Sequence, residues 1–492
     1  MTAGRIATNA AGVVAAGMLC TMLAAVVPEV GPKTAIAGGF ALLLLLSAVV
    51  SGLPKEVFLA GYILSLTYNR QYFAFDAWLG ASGSNGLYWI PADPFLFLLL
   101  GVSVWERLIG HRTTHVHRVG APPGAGPVLP FLAVCCVSAL LSQRPDWGFN
   151  DVYRVVKFAI LLLWLHYNLN PRLWLVAVCT FAAAIAMQSA LGVLQVATNA
   201  GSGLLSMIGL GTAASGVAAE IENRARGTMG HPNYLAPYLL MVVPAAFGAV
   251  LYSRRRPVIL ASAAVAALGV AGTVATASRS PIVILAATMS LVAATAVWQR
   301  VLSARMALGC GILALGLLAA VALPFTDKIA QRLEGDLTAS VDFRLSYNLA
   351  ALAIWDDHPL LGIGPNNSIL EIGRHAPLFE QIIRSLDEYR DAANVRASPV
   401  HNVYLLMLSE TGVVGLVAFL YLLASVIRRG VRGAAASEYA VRGICVGAVI
   451  GLLGQFTQQT VDFSLWYDSS WYTLALMAGL LGAVPDQAAR IG

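Results

Sequence analysis

Apolar runs long enough to cross a bilayer follow one another along the whole chain, separated by short polar, charged or Pro/Gly-containing breaks. They fall near residues 10–27, 34–50, 54–69, 91–108, 127–142, 152–168, 172–197, 232–252, 257–277, 281–298, 306–324, 401–427, 443–460 and 467–484. Each predicts a helix, because in hydrocarbon every backbone N–H and C=O must be satisfied within its own segment. The third, fifth and sixth runs are short or interrupted by polar residues, so the pattern predicts about 12–14 transmembrane helices in an all-α, polytopic membrane protein. The first run follows Arg5 and is succeeded by another after a very short break, which favours an uncleaved span over a removed leader.

Two longer polar segments interrupt this rhythm, at 198–231 and 325–400. The second has 76 residues, with eleven Asp/Glu and seven Lys/Arg. A structureless loop of that length is improbable. Its mixed apolar and charged stretches at 341–357 and 377–392 predict amphipathic helices lying over the mouth of the bundle. The first segment is rich in Gly, Ala and Ser and predicts a short re-entrant or interfacial piece. The chain thus divides into N-terminal helices (1–197), a core containing both polar segments (198–427) and C-terminal helices (428–492).

Composition agrees: 58% of the 492 residues are hydrophobic and only 11% charged, which excludes a soluble globular protein. The net charge of +6 bears on orientation. With a cytoplasmic N-terminus, sixteen Lys/Arg fall at cytoplasmic span ends and six in the short outer loops. That bias places both termini in the cytoplasm and both long polar segments outside. No basic tract with interleaved aromatics suggests nucleic acid. The six cysteines lie in apolar runs without metal-ligand spacing and read as small buried hydrophobes. Aromatics at 62–95 and 463–472 read as interfacial belts.

Candidate chemistry concentrates in four polar clusters at helix ends that should face outward. Arg226-Gly-Thr-Met-Gly-His231-Pro-Asn233-Tyr precedes one span, and Ser278-Arg279-Ser280-Pro281 makes a one-arginine turn between two others. Gly362-Ile-Gly364-Pro-Asn366-Asn367 lies in the long segment, and His401-Asn402-Val-Tyr404 opens the span after it, with Glu410 about two turns further in. Arginine suits a lipid diphosphate because its planar fork binds phosphate oxygens in pairs and never loses its charge. Arg226 and Arg279 can bind phosphate, or serve as a solvated loop charge and an interfacial anchor. Arg224, with Glu220 and Glu222 nearby, reads as structural.

An imidazole at a helix start stays neutral and can take a proton from an attacking hydroxyl, which makes His401 a general-base candidate, its ring held by Asn402 and Tyr404. His231 suits capping or substrate hydrogen bonding. The Gly364/Asn366/Asn367 turn can offer N–H groups and amides to a phosphate or sugar, or simply be a rigid turn. Glu410 reads as a network residue orienting the site. No carboxylate or histidine cluster has metal-ligand spacing, so neither metal nor cofactor is expected.

The strings RGTMGHPNYLA, TASRSP, LGIGPNNS and HNVYLLMLSETGVVG, in that order, resemble the O-antigen ligase and polymerase family of bacterial envelope glycan assembly. The likeness covers roughly residues 200–425. It implies a GT-C-like helical glycosyltransferase of the bacterial inner membrane, working at the periplasmic face on an undecaprenyl-pyrophosphate-linked glycan donor. The acceptor would be another glycan or lipid A-core, membrane lipids would surround the chain, and a chain-length regulator would be a further partner. In the resemblance Arg226 and Arg279 grip the diphosphate and His401 is the base, with His231, Asn233, Gly364, Asn366, Asn367, Asn402, Tyr404 and Glu410 lining the substrates. His231 stands where many members carry another residue.

These readings predict an inverting transferase, since no nucleophile with an adjacent base supports a two-step route. A polysaccharide polymerase is the first expectation. A lipid A-core ligase, a protein glycan transferase and a lipid-linked glycan transporter are the alternatives.

Overall fold

A computed structural model describes residues 52–68, 71–73, 88–108, 125–198, 224–303, 305, 337–372, 375 and 400–491. The predicted spans 10–27, 34–50 and 306–324, and the predicted amphipathic helix 377–392, lie outside the described residues. The remaining predicted spans all appear as helices: α1 (Pro54–Ser65), α2 (Asp93–Leu108), α3 (Ala125–Leu141), α4 (Pro145–Asn168), α5 (Pro171–Ala197), α6 (Pro232–Tyr252), α7 (Arg256–Ala275), α8 (Arg279–Trp298), α11 (Val403–Ala435), α12 (Tyr439–Gln458) and α13 (Asp468–Ile491). From the long polar segment come α9 (Leu337–Asp357), where an amphipathic helix was expected, and the short α10 (Ser368–Ile372). A two-residue antiparallel ribbon pairs Tyr72 with Trp89 and Phe73 with Tyr88.

Among the described residues, six helices are long and apolar enough to cross a membrane, namely α5, α6, α7, α8, α11 and α12. The chain is a multi-pass, all-α membrane protein. Proline starts α1, α4, α5 and α6, where its missing N–H costs nothing. Helix α4 begins seven residues before the apolar run that predicted it, because Asn150 and Asp151 are buried within the bundle rather than left in a polar loop.

The centre of the bundle is the antiparallel pair α6–α12. Gly443, Gly447 and Gly451 of α12 face Gly248, Pro244 and Met241 of α6 so closely that a Cβ at any of the three would collide with the facing backbone. In hydrocarbon, where apolar surface gains little by leaving lipid, such backbone approach is how helices attract. The register carries Gln458 to the level of Tyr234.

Two polar ends result. At one, the start of α6, the α7–α8 turn, the start of α11 and residues 459–467 converge. At the other, the end of α6 meets the start of α12, with Arg254 stacked over Tyr439.

The aromatics expected as interfacial belts are largely interior: Tyr62, Tyr88, Trp466, Trp471 and Tyr472 are buried. Phe131, Phe158, Phe419, Trp466 and Trp471 form one packed cluster, with the Phe158 and Trp471 ring centres 4.5 Å apart. Period alone could not distinguish a ring facing headgroups from one filling the interior. Cys135 and Cys445 are buried as expected, whereas Cys179 is exposed on α5, and Cys20 and Cys310 lie outside the described residues.

Candidate functional site

The segment before α6 is shaped by two glutamines of α5 that no motif singled out. Gln195 accepts from the Arg226 and Gly227 amides at 3.1 and 2.9 Å and donates to the Gly227 carbonyl at 2.9 Å. Gln188, two turns earlier, accepts from the Thr228 amide at 2.9 Å and donates to the Thr228 and Thr67 hydroxyls. Both are wholly buried, and Gly227 (φ +56°) permits the turn that reaches them. Their signal in the sequence was the seven-residue spacing of two amides on one face of an otherwise apolar helix. Held in this way, Arg226 is 9% exposed, and burial lowers its pKa from the usual arginine value.

Arg224 is a structural tie, as its sequence context suggested. It donates to the Thr276 carbonyl at 2.7 Å, the Ser278 hydroxyl at 2.9 Å and the Asn233 side-chain oxygen at 3.3 Å. Ser278 also donates to Asn233 at 3.1 Å, so Asn233 joins the start of α6 to the α7–α8 turn. Arg279, the first residue of α8, is thereby set beside α6. It is half-buried, and its Nε is sealed from solvent with no hydrogen-bond partner. A cation at a helix N-terminus, where the peptide dipoles already present positive charge, is stabilised only by an anion bound there. His231 caps α6, its Nδ1 accepting from the Asn233 amide at 3.0 Å.

The start of α11 is held by residues 459–462. The Val403 amide donates to the Gln459 and Asp462 carbonyls, and Asn402 Nδ2 donates to the Thr460 carbonyl at 3.1 Å. Asn402 caps the helix, accepting from the Tyr404 and Leu405 amides, and the Tyr404 hydroxyl donates to the Phe456 carbonyl at 2.7 Å. The bonds these two residues make thus fix the helix start.

His401 packs edge-on against Phe463 (ring centres 5.2 Å apart) and Tyr347 of α9 (6.1 Å). From Phe463 the contacts continue to Tyr467 (5.0 Å), Tyr234 (4.0 Å) and His231 (5.2 Å). An aromatic row therefore joins the two histidine-bearing helix starts. The sequence offered both ends of this row, Tyr234 included, but gave no sign that Phe463 and Tyr467, more than 200 residues from His231, lie between them.

Asp462 was also missed. It is 8% exposed and accepts from the Phe463 amide at 2.8 Å. Burial pushes its pKa up to about 6, against the opposing pull of that amide and the charge of Arg344 on α9.

The Gly-rich turn of the long segment is placed elsewhere. Helix α11 breaks at Gly412 (φ +66°), and residues 359–364 fill the break. The Ile363 and Gly364 amides donate to the Ser409 and Glu410 carbonyls, and the Val413 and Val414 amides to the Pro359 and Leu360 carbonyls. Glu410 is 2% exposed, with its carboxylate accepting from the Ser368 hydroxyl at 2.7 Å. Asn367 accepts from the Arg144 amide at 3.1 Å and donates to the Pro365 carbonyl at 2.9 Å. Asn366 beside it is half-buried in a left-handed conformation (φ +60°). Gly364, Asn367 and Glu410 thus form a joint about 13 Å along α11 from His401, at about 1.5 Å of helix per residue.

Beside the aromatic row lies an ionic network of α2, α4 and α13. Arg154 bonds Asp151 (3.0 Å), Asp468 (3.1 Å) and the Trp466 carbonyl, Lys157 pairs with Asp93 (3.0 Å), and the Tyr88 hydroxyl donates to Asp468 at 2.8 Å. It grips both sides of Tyr467. Among the described residues, no group of three His, Cys, Asp or Glu is arranged to hold a metal ion.

A family model described as O-Antigen ligase matches residues 264–420. The matched stretch includes Arg279, the 362–367 turn, His401, Asn402, Tyr404 and Glu410, and leaves out residues 224–234. No curated protein matches the chain.

Proposed function

Taking the O-antigen ligase family domain at residues 264–420 as the premise, we propose that the chain is an inverting glycosyltransferase. Its donor is an undecaprenyl-pyrophosphate-linked glycan, and the reaction takes place at the periplasmic face of a bacterial inner membrane. The supporting observation is Arg279: a half-buried arginine on the N-terminus of a 20-residue helix, its Nε without a partner, calls for an anion. A lipid-linked diphosphate meets that need. Arg226, buried with its charge in the adjoining turn, makes the second contact.

His401 accepts the proton of the acceptor hydroxyl as that oxygen forms its bond to the anomeric carbon. The bond from that carbon to the diphosphate oxygen breaks, and the leaving undecaprenyl pyrophosphate keeps the electron pair. The arginines act most strongly there, because charge on the leaving oxygen grows toward the transition state. The row between His231 and His401 supplies apolar ring faces of the kind on which a sugar rests. Asn233, Asn402 and Tyr404 hold the elements of the site in place, and His231 lies at the far end of the row. Gly364, Asn366, Asn367 and Glu410 support the break in α11.

The acceptor is another lipid-linked repeat unit, as in a polymerase. The description of the matched family favours a second reading, transfer to lipid A-core. Reconstitution in vesicles with a lipid-linked donor and each acceptor in turn tests both. Arg279→Ala should weaken donor binding and transfer together by about 2–5 kcal/mol, the loss expected for a desolvated charge contact, and Arg279→Lys should retain part of each. Unchanged donor affinity and turnover in Arg279→Ala would reduce that residue to an interfacial anchor.

A further inference from the structure

At the end of the bundle away from His401, four helix ends converge. Tyr252 of α6, Val292 and Ala296 of α8 and Val446 and Ile450 of α12 form a small apolar cluster, against which Ala434 of α11 packs. Arg254, Arg300, Arg428, Arg429, Arg432 and Arg442 stand on or just beyond these helix ends. The cluster is one surface: Arg254 lies over the Tyr439 ring at 4.4 Å and donates to its hydroxyl, Tyr252 donates to Gln299 next to Arg300, and Gly443, beside Arg442, is packed on Gly248.

None of these six arginines is in an ion pair among the described residues, and the nearby Glu438 is exposed. Basic residues at this end of the neighbouring helices are paired, Lys55 with Glu106 and Arg172 with Glu56. Charges that merely set orientation need only reach water. Arg442 does not fit that description, since its Nε is sealed from solvent and has no hydrogen-bond partner. Arg429 is half-buried, its stem against Gly482 of α13. Beside Arg300 the indole of Trp298 is 84% exposed and Val301 41% exposed, an apolar shelf next to the arginines.

We propose that this arginine surface, with Arg442 and Arg254 at its centre, is a binding site for the phosphate headgroup of an anionic phospholipid of the adjacent leaflet. The phosphate supplies the acceptor oxygens that Arg442 lacks, and the acyl chains lie along Trp298 and Val301. The site is independent of the transfer reaction and would stand if the proposed donor were wrong.

Native mass spectrometry of the full chain in neutral detergent, titrated with phosphatidylglycerol or phosphatidylethanolamine, tests the proposal. The parent should retain phosphatidylglycerol at least about tenfold more tightly, a margin of about 1.4 kcal/mol. Arg442→Gln should erase the preference. Arg254→Gln, at an exposed position where folding is not at issue, should reduce it several-fold. A change at the paired Arg172 should leave it intact. Glycerol phosphate should compete only at far higher concentration, since it lacks the acyl contacts. Equal retention of both lipids by the parent, an unaltered preference in Arg254→Gln, or competition by glycerol phosphate as strong as by the lipid would overturn the site. So would a preference for an acidic cytoplasmic protein that added phosphatidylglycerol fails to displace.

Discussion

His401 and Asp462 show how much of the site depends on single side chains. If His401 takes the acceptor proton, His401→Ala should keep donor affinity and lose about 10²- to 10⁴-fold in transfer rate at saturating acceptor. His401→Gln should be as slow, because an amide hydrogen-bonds but cannot accept the proton. Near-parental kcat in both variants would exclude the histidine as base. Asp462 makes a prediction about stability. Its carboxyl has a folded-state pKa of about 6, above the ordinary aspartate value, so the folded state holds its proton more tightly than the unfolded chain does. The resulting penalty is absent below about pH 4, grows as pH rises through that window, and is complete above about pH 6, at up to about 3 kcal/mol. Asp462→Asn should flatten the pH dependence of melting between about pH 4 and 6. A parent whose melting temperature rises over that interval, with Asp462→Asn unchanged, would show that the carboxylate is better stabilised than burial implies.

Elements position these groups, and two devices do most of that. The break in α11 frees carbonyls at Ser409 and Glu410 and amides at Val413 and Val414, and residues 359–364 satisfy all four. Gly412→Ala would put a Cβ into the Leu360 carbonyl at a left-handed backbone angle. It should destabilise the protein by more than about 1–2 kcal/mol, read as a lower melting temperature in detergent. The second device is Arg154, which ties α4 to Trp466 and Asp468 on either side of Tyr467. Arg154→Met leaves two buried carboxylates without their cation and should cost about 3–5 kcal/mol. In whatever fraction still folds, acceptor KM should rise more than donor affinity falls, since Tyr467 belongs to the aromatic row. Equal losses in both would return Arg154 to a purely structural role.

Over the whole molecule, the arginine surface and the aromatic row lie at opposite ends of the same helices, so the charge bias predicts one orientation, with the row on the outer side. In a cysteine-free background, a cysteine at Val461, 37% exposed near the site, should react with an impermeant maleimide added to intact spheroplasts. One at the exposed Ala436 should react only after lysis. Labelling in the reverse pattern would put the site in the cytoplasm.

The linear order of residues determined the class of the molecule, the eleven described helices to within a few residues except the start of α4 and the ends of α11 and α13, and the helix-start segments that carry Arg226, Arg279 and His401. Those features are local: hydrocarbon demands contiguous apolar runs, and helix starts carry their own capping and proline signals. Tertiary structure decided what those signals could not. It assigned Gln188 and Gln195 to the Arg226 turn, brought Phe463 and Tyr467 between the two histidines with Asp462 beside them, turned most of the expected interfacial aromatics into core, and placed the Gly364–Asn367 turn beside the break of α11. Each is a contact between segments tens to hundreds of residues apart, set by which helix faces pack. A buried ring or charge has the same local sequence as an exposed one, and only the packed bundle distinguishes them.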